Sequence, residues 1–405
     1  MSDPRADVVS RQYEKWTYPF PVGDLDHWKT VDWDRMDPSH AHRLLWPDRP
    51  YRPDLDILIA GCGTNQAAQI AYMNPQATVV GVDVSDASLD HQRYLKDRHK
   101  LANLHVQRLP IEELPSLGRD FDLILSTGVL HHMADPLVGL RALAGCLRPD
   151  GVIGLMLYAH WGRTGVKALQ SAFHDMGLQQ DDDGLAVVKD ALDWLPANHL
   201  VRNYLNIAHD LVFDAGVVDT FLHGRDRDYR VEDCLEFVES AGLVFQQWLV
   251  NAPYYHHEIL DRPRPLYDAL NRLPERVMWS VNDRLRTTNG CHYFLACKPE
   301  RPVQSYRIDF TTLDCLAYVP QLRHGCGVAD HAIYRSDYRM TLDDNQFAVV
   351  QQIDGRRTIR EISAAARAVP TGPQGNAPTV EKYTRKLFES LWRLDFLAMA
   401  IPAAA

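Results

Sequence analysis

One stretch in the first quarter of the chain constrains the fold more than any other. An apolar run at residues 57–60 breaks into the tetrapeptide Gly-Cys-Gly-Thr at 61–64, a helical pattern follows, and a second apolar run ends at Asp83. Glycines permit a tight turn and a close approach of the backbone to a ligand, and a carboxylate about 20 residues further on can accept hydrogen bonds from ribose hydroxyls. The order of strand, glycine turn, helix, strand and acid therefore predicts a nucleotide-binding α/β domain.

The alternation of strand and helix patterns continues to residue 158. We expect helices over 65–73 and 87–101, and strands over 104–107, 121–126 and 152–158. In a doubly wound sheet, ligands bind outside the carboxyl ends of the strands. The residues that follow the strand at 121–126 should therefore line the ligand cleft.

Four motifs within this region resemble those of one enzyme family. The glycine turn at 61–64, GVDVS at 81–85, FDLI at 121–124 and VLHH at 129–132 resemble the successive motifs of class I S-adenosylmethionine-dependent methyltransferases. The resemblance implies an α/β fold with a Rossmann-like seven-stranded sheet, S-adenosyl-L-methionine as cofactor and methyl transfer as the reaction. The chain departs from the family at Ile59, where an acid is usual, and at Asn65, where a third glycine is usual.

A nicotinamide-binding Rossmann domain is the alternative for this stretch, because it also needs glycines after a first strand and an acid after a second. Its G-x-G-x-x-G fingerprint would place the third glycine at Gln66, and the close approach of a helix to a pyrophosphate would then be lost. The methyltransferase interpretation is favoured because its cofactor has no pyrophosphate.

The resemblance also implies which residues contact the cofactor. They lie in the glycine turn, around the acid, on one side of an adenine pocket and after the fourth strand: Gly61, Cys62, Gly63, Thr64, Asn65, Asp83, Val84, Leu109, Pro110, Ile111, Ser126, Thr127, Gly128 and His131. Residues 13–20 resemble an aromatic segment found before the glycine turn in a bacterial subgroup of the family. An aromatic face attracts a cation such as a sulfonium by about 0.5–2 kcal/mol, so we expect Tyr13 or Tyr18 to contact the bound cofactor. The alternative is that these aromatic residues only pack on the domain surface.

Methyl transfer from a sulfonium is an in-line displacement that needs no nucleophilic side chain and no metal, because orientation and exclusion of water supply much of the rate. A general base is needed only for an acceptor that must lose a proton early. The candidates are His131 and His132 after the fourth strand, and Tyr158 and His160 after the fifth. We expect Tyr158 and His160 to lie closer to the acceptor, and at least one of the two adjacent histidines to be structural.

The rest of the chain is predicted to surround this domain. Residues 1–48 form an N-terminal aromatic arm, 49–304 a methyltransferase domain with insertions at 159–231 and 251–289, and 305–405 a small, mainly helical domain that resembles a winged helix. In this last domain, helices should start after Asp343 and Thr358, and residues 396–401 should form an edge strand. The first insertion is mostly helical in pattern, including residues 205–212, and should cover the ligand edge of the sheet. Its Arg225, Arg227 and Tyr229 either contact the acceptor or belong to a solvated loop.

Composition narrows the choice of partners. The net charge of -10 argues against broad nucleic-acid binding, and no apolar run is long enough to span a membrane, so a cytoplasmic location is expected. Seven scattered cysteines without a C-x-x-C pair predict neither a disulfide framework nor a zinc site. The adjacent residues His256, His257 and Glu258 cannot all face one ion, so no metal is expected there.

Two functional classes remain open. The first is a methyltransferase that acts on a small molecule or on a peptide or protein side chain. The second is a non-catalytic cofactor-binding or regulatory protein that keeps the fold. Gly61, Gly63 and Asp83 favour the first class, because a domain that had stopped binding the cofactor would not need them.

Overall fold

The structure, a computed structural model, describes residues 3–28, 35–256 and 265–402. The internal contacts divide the chain into two compact units. The first unit contains residues 1–34, 52–248 and 283–300, and the second contains 35–51, 249–282 and 301–405. The expected division into 1–48, 49–304 and 305–405 stays a prediction. His257 and Glu258 of the histidine-rich trio lie outside the described residues.

The described helices alternate with strands up to residue 158 and dominate the two insertions. In chain order they are α1 Val8–Lys15, α2 Pro38–Leu45, α3 Gln66–Met73, α4 Asp86–His99, α5 Pro136–Gly145, α6 Thr164–Asp175, α7 Asp182–Trp194, α8 Arg202–Leu205, α9 Asp214–Phe221, α10 Val231–Ser240, α11 Pro265–Asn271, α12 Glu275–Arg286, α13 Asp344–Val350, α14 Ile359–Arg367 and α15 Ala377–Arg393. Within the described ranges, no helix is long and apolar enough to cross a membrane.

Seven strands of the first unit form one sheet. They are β1 Asp56–Ala60, β2 Thr78–Asp83, β3 Leu104–Arg108, β4 Phe121–Thr127, β5 Leu147–Tyr158, β6 Val244–Trp248 and β7 Cys291–Cys297. Their order is β3-β2-β1-β4-β5-β7-β6, with β1 parallel to β2 and β4, and β7 antiparallel to β5 and β6. The fold prediction is confirmed, because this is the Rossmann-like sheet of seven strands that the motifs implied.

The central strands of the sheet are apolar and fully buried. Residues 57–60 of β1 and 123–125 of β4 have no exposed surface, as strands buried on both faces require. Two of the helices that follow the strands, α4 and α5, start at side-chain caps. Ser85 accepts a hydrogen bond from the Ser88 N–H at the start of α4, and Asp135 caps α5, where Pro136 occupies the first turn. These caps fix the carboxyl ends of β2 and β4, where the ligand edge lies.

The insertion at 159–231 folds as α6 to α9 around a core of its own. The buried members of this core are Val166, Leu169, Phe173, Leu185, Val188, Val201, Tyr204, Val217, Val218 and Phe221. The helix indicated over 205–212 is wrong in its bounds, since α8 ends at Leu205 and a separate 3-10 turn spans His209–Val212. Helix α9 is mainly apolar, yet it carries Asp219 at a position that is only 2% exposed.

The second unit contains short strands that the sequence did not indicate. The strand expected at 396–401 is β12 Leu397–Ala400, which pairs with β8 Val319–Leu322, while β9 Gly327–Ala329, β10 Ala332–Arg335 and β11 Tyr338–Thr341 form a three-stranded sheet. The two helix starts were predicted correctly, because Asp343 forms a capping box with Gln346 and Thr358 forms one with Glu361. Local capping signals were readable, whereas strands of three or four residues carry too little periodicity.

The seven-stranded sheet ends at β7, before the C-terminal region begins. We therefore expect a chain that ends at Pro302 to fold and to bind S-adenosylhomocysteine, as measured by circular dichroism and calorimetry. Its melting temperature should fall, because Asp395, which accepts the Asn251 and Ala252 N–H groups at 2.7 and 2.9 Å, is removed. A truncated chain that only aggregates would show that residues 303–405 are required for folding of the sheet.

Candidate active site

The glycine turn between β1 and α3 requires its two glycines. Gly61 has φ +76° and Gly63 has φ +50°, both in the left-handed region that favours glycine. A Cβ atom at Gly61 would lie 2.4 Å from Val129 Cγ2, and one at Gly63 would lie 2.9 Å from Pro19 Cδ. The turn is therefore closed to any side chain at either position.

Asp83, at the end of β2, is tied to this turn. Its Oδ2 accepts the Gly63 N–H at 2.8 Å, and its Oδ1 accepts the Ser85 N–H at 3.0 Å. A carboxylate offers about four lone-pair positions, so about two remain for further donors. Burial raises the pKa of Asp83, and the backbone hydrogen bonds oppose that shift by favouring the charged form. The arrangement fits the two ribose hydroxyls of S-adenosylmethionine.

The remaining predicted cofactor residues lie on strand ends around Asp83. The Leu109 N–H donates to the Asp83 carbonyl at 3.0 Å, which holds the segment Leu109-Pro110-Ile111 beside β2. At the end of β4, the Ser126 hydroxyl is buried without a partner. The next residue, Thr127, donates to Gln66 Oε1 at 2.7 Å.

Three further residues complete the predicted set. Gly128 has φ +75°, and the Val84 carbonyl accepts Arg108 Nε at 3.0 Å. Cys62 is 1% exposed, and burial raises its pKa, so the residue stays a thiol. Direct contact of all these residues with the cofactor stays a prediction.

The side chains of Thr64 and Asn65 hold the N-terminal arm. Thr64 Oγ1 donates to the Pro19 carbonyl at 2.7 Å. The Asn65 amide donates to the Phe20 carbonyl and accepts the Val22 N–H, both at 2.9 Å. The arm therefore lies directly against the glycine turn.

The two arm tyrosines reach the insertion. Tyr13 donates to Asp219 Oδ1 at 2.8 Å, and Tyr18 donates to Asp210 Oδ2 at 2.7 Å. Their rings stack with centroids 6.5 Å apart. Burial raises the pKa of both phenols well above the usual value, so both hydroxyls keep their protons. Contact of Tyr13 or Tyr18 with the cofactor stays a prediction.

Asp219 is the functional candidate that sequence reasoning missed. Besides Tyr13, it accepts the Tyr158 hydroxyl at 3.1 Å and the Gln12 amide at 3.3 Å. Three elements thus converge on one carboxylate, namely α1, the end of β5 and α9. The available signal was an acid inside an apolar helix, a pattern that does not reveal its partners.

The ring of Tyr158 contacts His131 and Arg163. The His131 ring is 3.9 Å from it, centroid to centroid, and the Arg163 guanidinium lies 3.6 Å from its centroid. Burial lowers the pKa of His131 well below its usual value, so this imidazole is neutral. Neither ring nitrogen of His131 has a hydrogen-bond partner. The structure therefore brings together His131 and Tyr158, two of the candidates for a general base.

His160 and the insertion arginines have other partners. His160 Nδ1 lies 2.9 Å from Asp228 Oδ1, and the two side chains form an ion pair when the imidazole is protonated. Arg225 donates to Asp7 Oδ2 at 3.0 Å, and Arg227 donates to the carbonyls of residues 133 and 134. Both arginines thus hold loops and the arm in place, so a purely solvated loop is the wrong interpretation. The Tyr229 carbonyl accepts the His160 N–H, and burial raises the pKa of its phenol to about 12.

One described cluster, His132, Asp219 and His223, invites a metal interpretation. His132 Nδ1 donates to the Arg225 carbonyl at 2.8 Å, so this nitrogen cannot bind a metal ion at the same time. His223 Nδ1 accepts the Arg225 N–H at 2.9 Å, so its neutral ring carries the proton on Nε2 and has no lone pair there. The two rings also stack at 3.8 Å with 19° between their planes, so one ion cannot lie in both planes. The cluster does not offer three ligand atoms to one metal.

Comparisons with known proteins agree with this geometry. A family model described as a methyltransferase domain matches residues 58–153. An uncharacterised protein of Synechococcus sp. is 28% identical over 367 residues, which span 87% of this chain and 86% of that protein. The solved structure of PKMT2 from Rickettsia typhi in complex with AdoHcy superposes with a TM-score of 0.65 at 15% identity, over 91% of this chain and 76% of that one. The likeness to that structure supports the same fold.

Two characterised relatives match less than a third of the chain. Trans-aconitate 2-methyltransferase of Deinococcus radiodurans is 36% identical over 127 residues, or 31% of this chain and 45% of the relative. The tRNA U34 carboxymethyltransferase of Methylococcus capsulatus is 34% identical over 111 residues, or 27% of this chain and 34% of the relative. The matched region therefore spans less than half the length of these enzymes, and their acceptors do not carry over.

The role of Asp83 can be tested by the substitution Asp83→Asn, which keeps the shape of the side chain and removes its charge. Each charged hydrogen bond contributes about 1.5–3 kcal/mol, so the affinity for S-adenosylhomocysteine should fall by about tenfold or more in calorimetry. The matched control is Asp86→Asn, because the Asp86 side chain is 52% exposed and lies three residues away. Equal affinities of both variants and the wild type would contradict the ribose assignment.

The arm can be tested by deletion of residues 1–22. We expect weaker binding of S-adenosylhomocysteine without unfolding, because the anchors on Thr64 and Asn65 are lost while the sheet is intact. Limited proteolysis of the full chain gives a second measurement, since an arm that closes on the cofactor should be cut more slowly when the cofactor is present. Unchanged affinity together with equal cutting rates would show that the arm only packs on the domain surface.

Proposed function

Because the chain is a class I S-adenosylmethionine-dependent methyltransferase, we propose that it transfers the methyl group to a small molecule or to a peptide or protein side chain by in-line displacement. The observation that carries this proposal is the buried group of His131, Tyr158 and Asp219. This group lies at the carboxyl ends of β4 and β5, on the same edge as the glycine turn. We name it, together with Tyr13, His132 and His223, the polar chamber.

The chamber supports displacement chemistry because it excludes water. His131 and Asp219 are 0% and 2% exposed, and Tyr158 is 7% exposed. Once bound, S-adenosylmethionine supplies an activated methyl group with a good leaving group, so the side chains have only to orient the acceptor and manage its proton. In this proposal, neutral His131 is the candidate base, and Tyr158 orients the acceptor through its hydroxyl oxygen. His160 is a weaker candidate, because its Nδ1 faces Asp228.

The characterised relatives align over 31% and 27% of this chain, whereas the Synechococcus protein aligns over 87%. The acceptors of the characterised relatives therefore do not define the acceptor of this chain. In this proposal, the arm and the 159–231 insertion contribute the acceptor site. Membership of the bacterial subgroup with an aromatic arm is part of this proposal.

A non-catalytic protein that keeps the fold is the less favoured function. A domain under no requirement to bind cofactor would not need glycine at both Gly61 and Gly63, where a Cβ would collide with a neighbour. The presence of Asp83 also favours a chain that binds the cofactor.

The proposed function predicts that the purified chain transfers labelled methyl groups from S-adenosylmethionine into at least one fraction of a cell extract separated by size. The variant Asp83→Asn should show a loss of about tenfold or more at cofactor concentrations below saturation, because the variant binds the cofactor more weakly. Label in a low-mass fraction would identify a small-molecule acceptor, and label in a high-mass fraction would identify a peptide or protein. Tight cofactor binding without any labelled product would support the non-catalytic alternative instead.

A further inference from the structure

Arg163 is a fully buried cation beside the polar chamber. It lies at the N-cap of α6, has no exposed surface, and its guanidinium carbon is 3.6 Å from the centroid of the Tyr158 ring. Taking a charge out of water is costly, and the replacement of a buried ion pair by apolar residues of similar size is often neutral or stabilising. The stability of the fold is therefore a weak reason for an arginine at this position.

The terminal nitrogens of Arg163 anchor its guanidinium. Nη2 lies 3.2 Å from Asp226 Oδ2, and Nη1 donates to the Tyr204 hydroxyl at 2.5 Å. Asp226 is itself fixed, because its Oδ2 also accepts the Gln170 amide at 2.6 Å. The third nitrogen, Nε, is buried without a hydrogen-bond partner. The guanidinium is therefore held at its outer edge, while its flat face contacts the Tyr158 ring.

Arg163 and His131 lie on opposite faces of the Tyr158 ring. The centroids of the His131 and Tyr158 rings are 3.9 Å apart, with 32° between their planes, and the guanidinium carbon is 3.6 Å from the same Tyr158 centroid. Because non-bonded carbon atoms stay about 3.5–4.0 Å apart, two groups this close to one centroid cannot share a face. The Tyr158 ring is therefore enclosed between a cation and an imidazole.

The edge and the hydroxyl of Tyr158 are held as well. The His132 ring meets the Tyr158 ring at 82°, with centroids 5.5 Å apart, and the Tyr158 hydroxyl donates to Asp219 Oδ2 at 3.1 Å. The ring cannot tilt or rotate without displacing Arg163 or His131. The two facing groups therefore act as a clamp, which fixes the position of the Tyr158 hydroxyl.

The charge of Arg163 also acts on His131 across the Tyr158 ring. Burial is the main cause that lowers the pKa of His131, and positive charge at His132 and at Arg163 lowers it further. A cation on the far face of Tyr158 therefore favours neutral His131. Only the neutral imidazole keeps a lone pair that can accept a proton.

We propose that Arg163 is a positioning residue for methyl transfer, which clamps the Tyr158 ring against His131. This inference rests on the proposed function, in which His131 is the base and Tyr158 orients the acceptor. Arg163 acts through Tyr158 and needs no contact with the acceptor. A planar guanidinium suits this role because its face stacks on a ring while its terminal nitrogens bind Asp226 and Tyr204, whereas the compact ammonium of a lysine cannot do both.

The variant Arg163→Lys separates a positioning role from a purely structural one. It keeps a positive charge beside Asp226, so the full-length chain should fold and bind S-adenosylhomocysteine with an affinity within twofold of the wild type. The initial rate of label transfer into the accepting extract fraction, at saturating S-adenosylmethionine, should still fall at least tenfold, because the Tyr158 ring loses one side of its clamp. The matched control is Lys167→Met, which should change this rate less than twofold. Lys167 Nζ lies 3.9 Å from Asp226 Oδ1, and this side chain is 33% exposed.

The outcomes distinguish this inference from the proposed function. A wild-type rate in Arg163→Lys would overturn the inference and leave the proposed function intact, since any cation would then serve beside Asp226. A wild-type chain that transfers no methyl group would overturn both.

The motion of the Tyr158 ring gives a measurement that does not depend on activity. NMR spectra are recorded of the full-length chain with ring-labelled tyrosine, and the Tyr158 signals are assigned by their loss in Tyr158→Phe. We expect two separate ring ε-carbon signals in the wild type, because the clamp slows ring flips, and one averaged signal in Arg163→Lys. One averaged signal in the wild type would overturn the clamp, even if Arg163→Lys does not fold.

Discussion

The hydrogen bond from the Gly63 N–H to the Asp83 carboxylate is the contact on which the rest of the site depends. It fixes the glycine turn, which follows β1, against the end of the neighbouring parallel strand β2. The same turn continues into Thr64 and Asn65, whose side chains hold the arm. A single backbone geometry therefore positions the cofactor site and its cover together.

The polar chamber is assembled from distant parts of the chain. Tyr13 and Asp219 are separated by 206 positions, and Tyr158 and Asp219 by 61. No one element forms the polar chamber alone, because Tyr13 lies in the arm, Tyr158 ends β5 and Asp219 lies in α9.

The sequence predicted those parts of the molecule that depend on local chemistry. The glycine turn, the acid after β2 and the capping boxes at Asp343 and Thr358 are each encoded within a few residues. The sheet followed from the motif order, because strand alternation and buried apolar runs repeat along the chain. Asp219 could not be found in this way, since its partners are brought together only by tertiary folding. The short strands of the second unit were not predicted for a different reason, because strands of three or four residues show too little periodicity.

The central claim is that one cofactor-binding event organises the glycine turn, the arm and the insertion as a single site. Hydrogen–deuterium exchange, followed by mass spectrometry with and without S-adenosylhomocysteine, tests it most directly. We predict slower exchange on binding in three separate segments, at residues 61–65, 8–22 and 213–223. Slower exchange at 61–65 alone, with unchanged exchange in the other two segments, would contradict the claim.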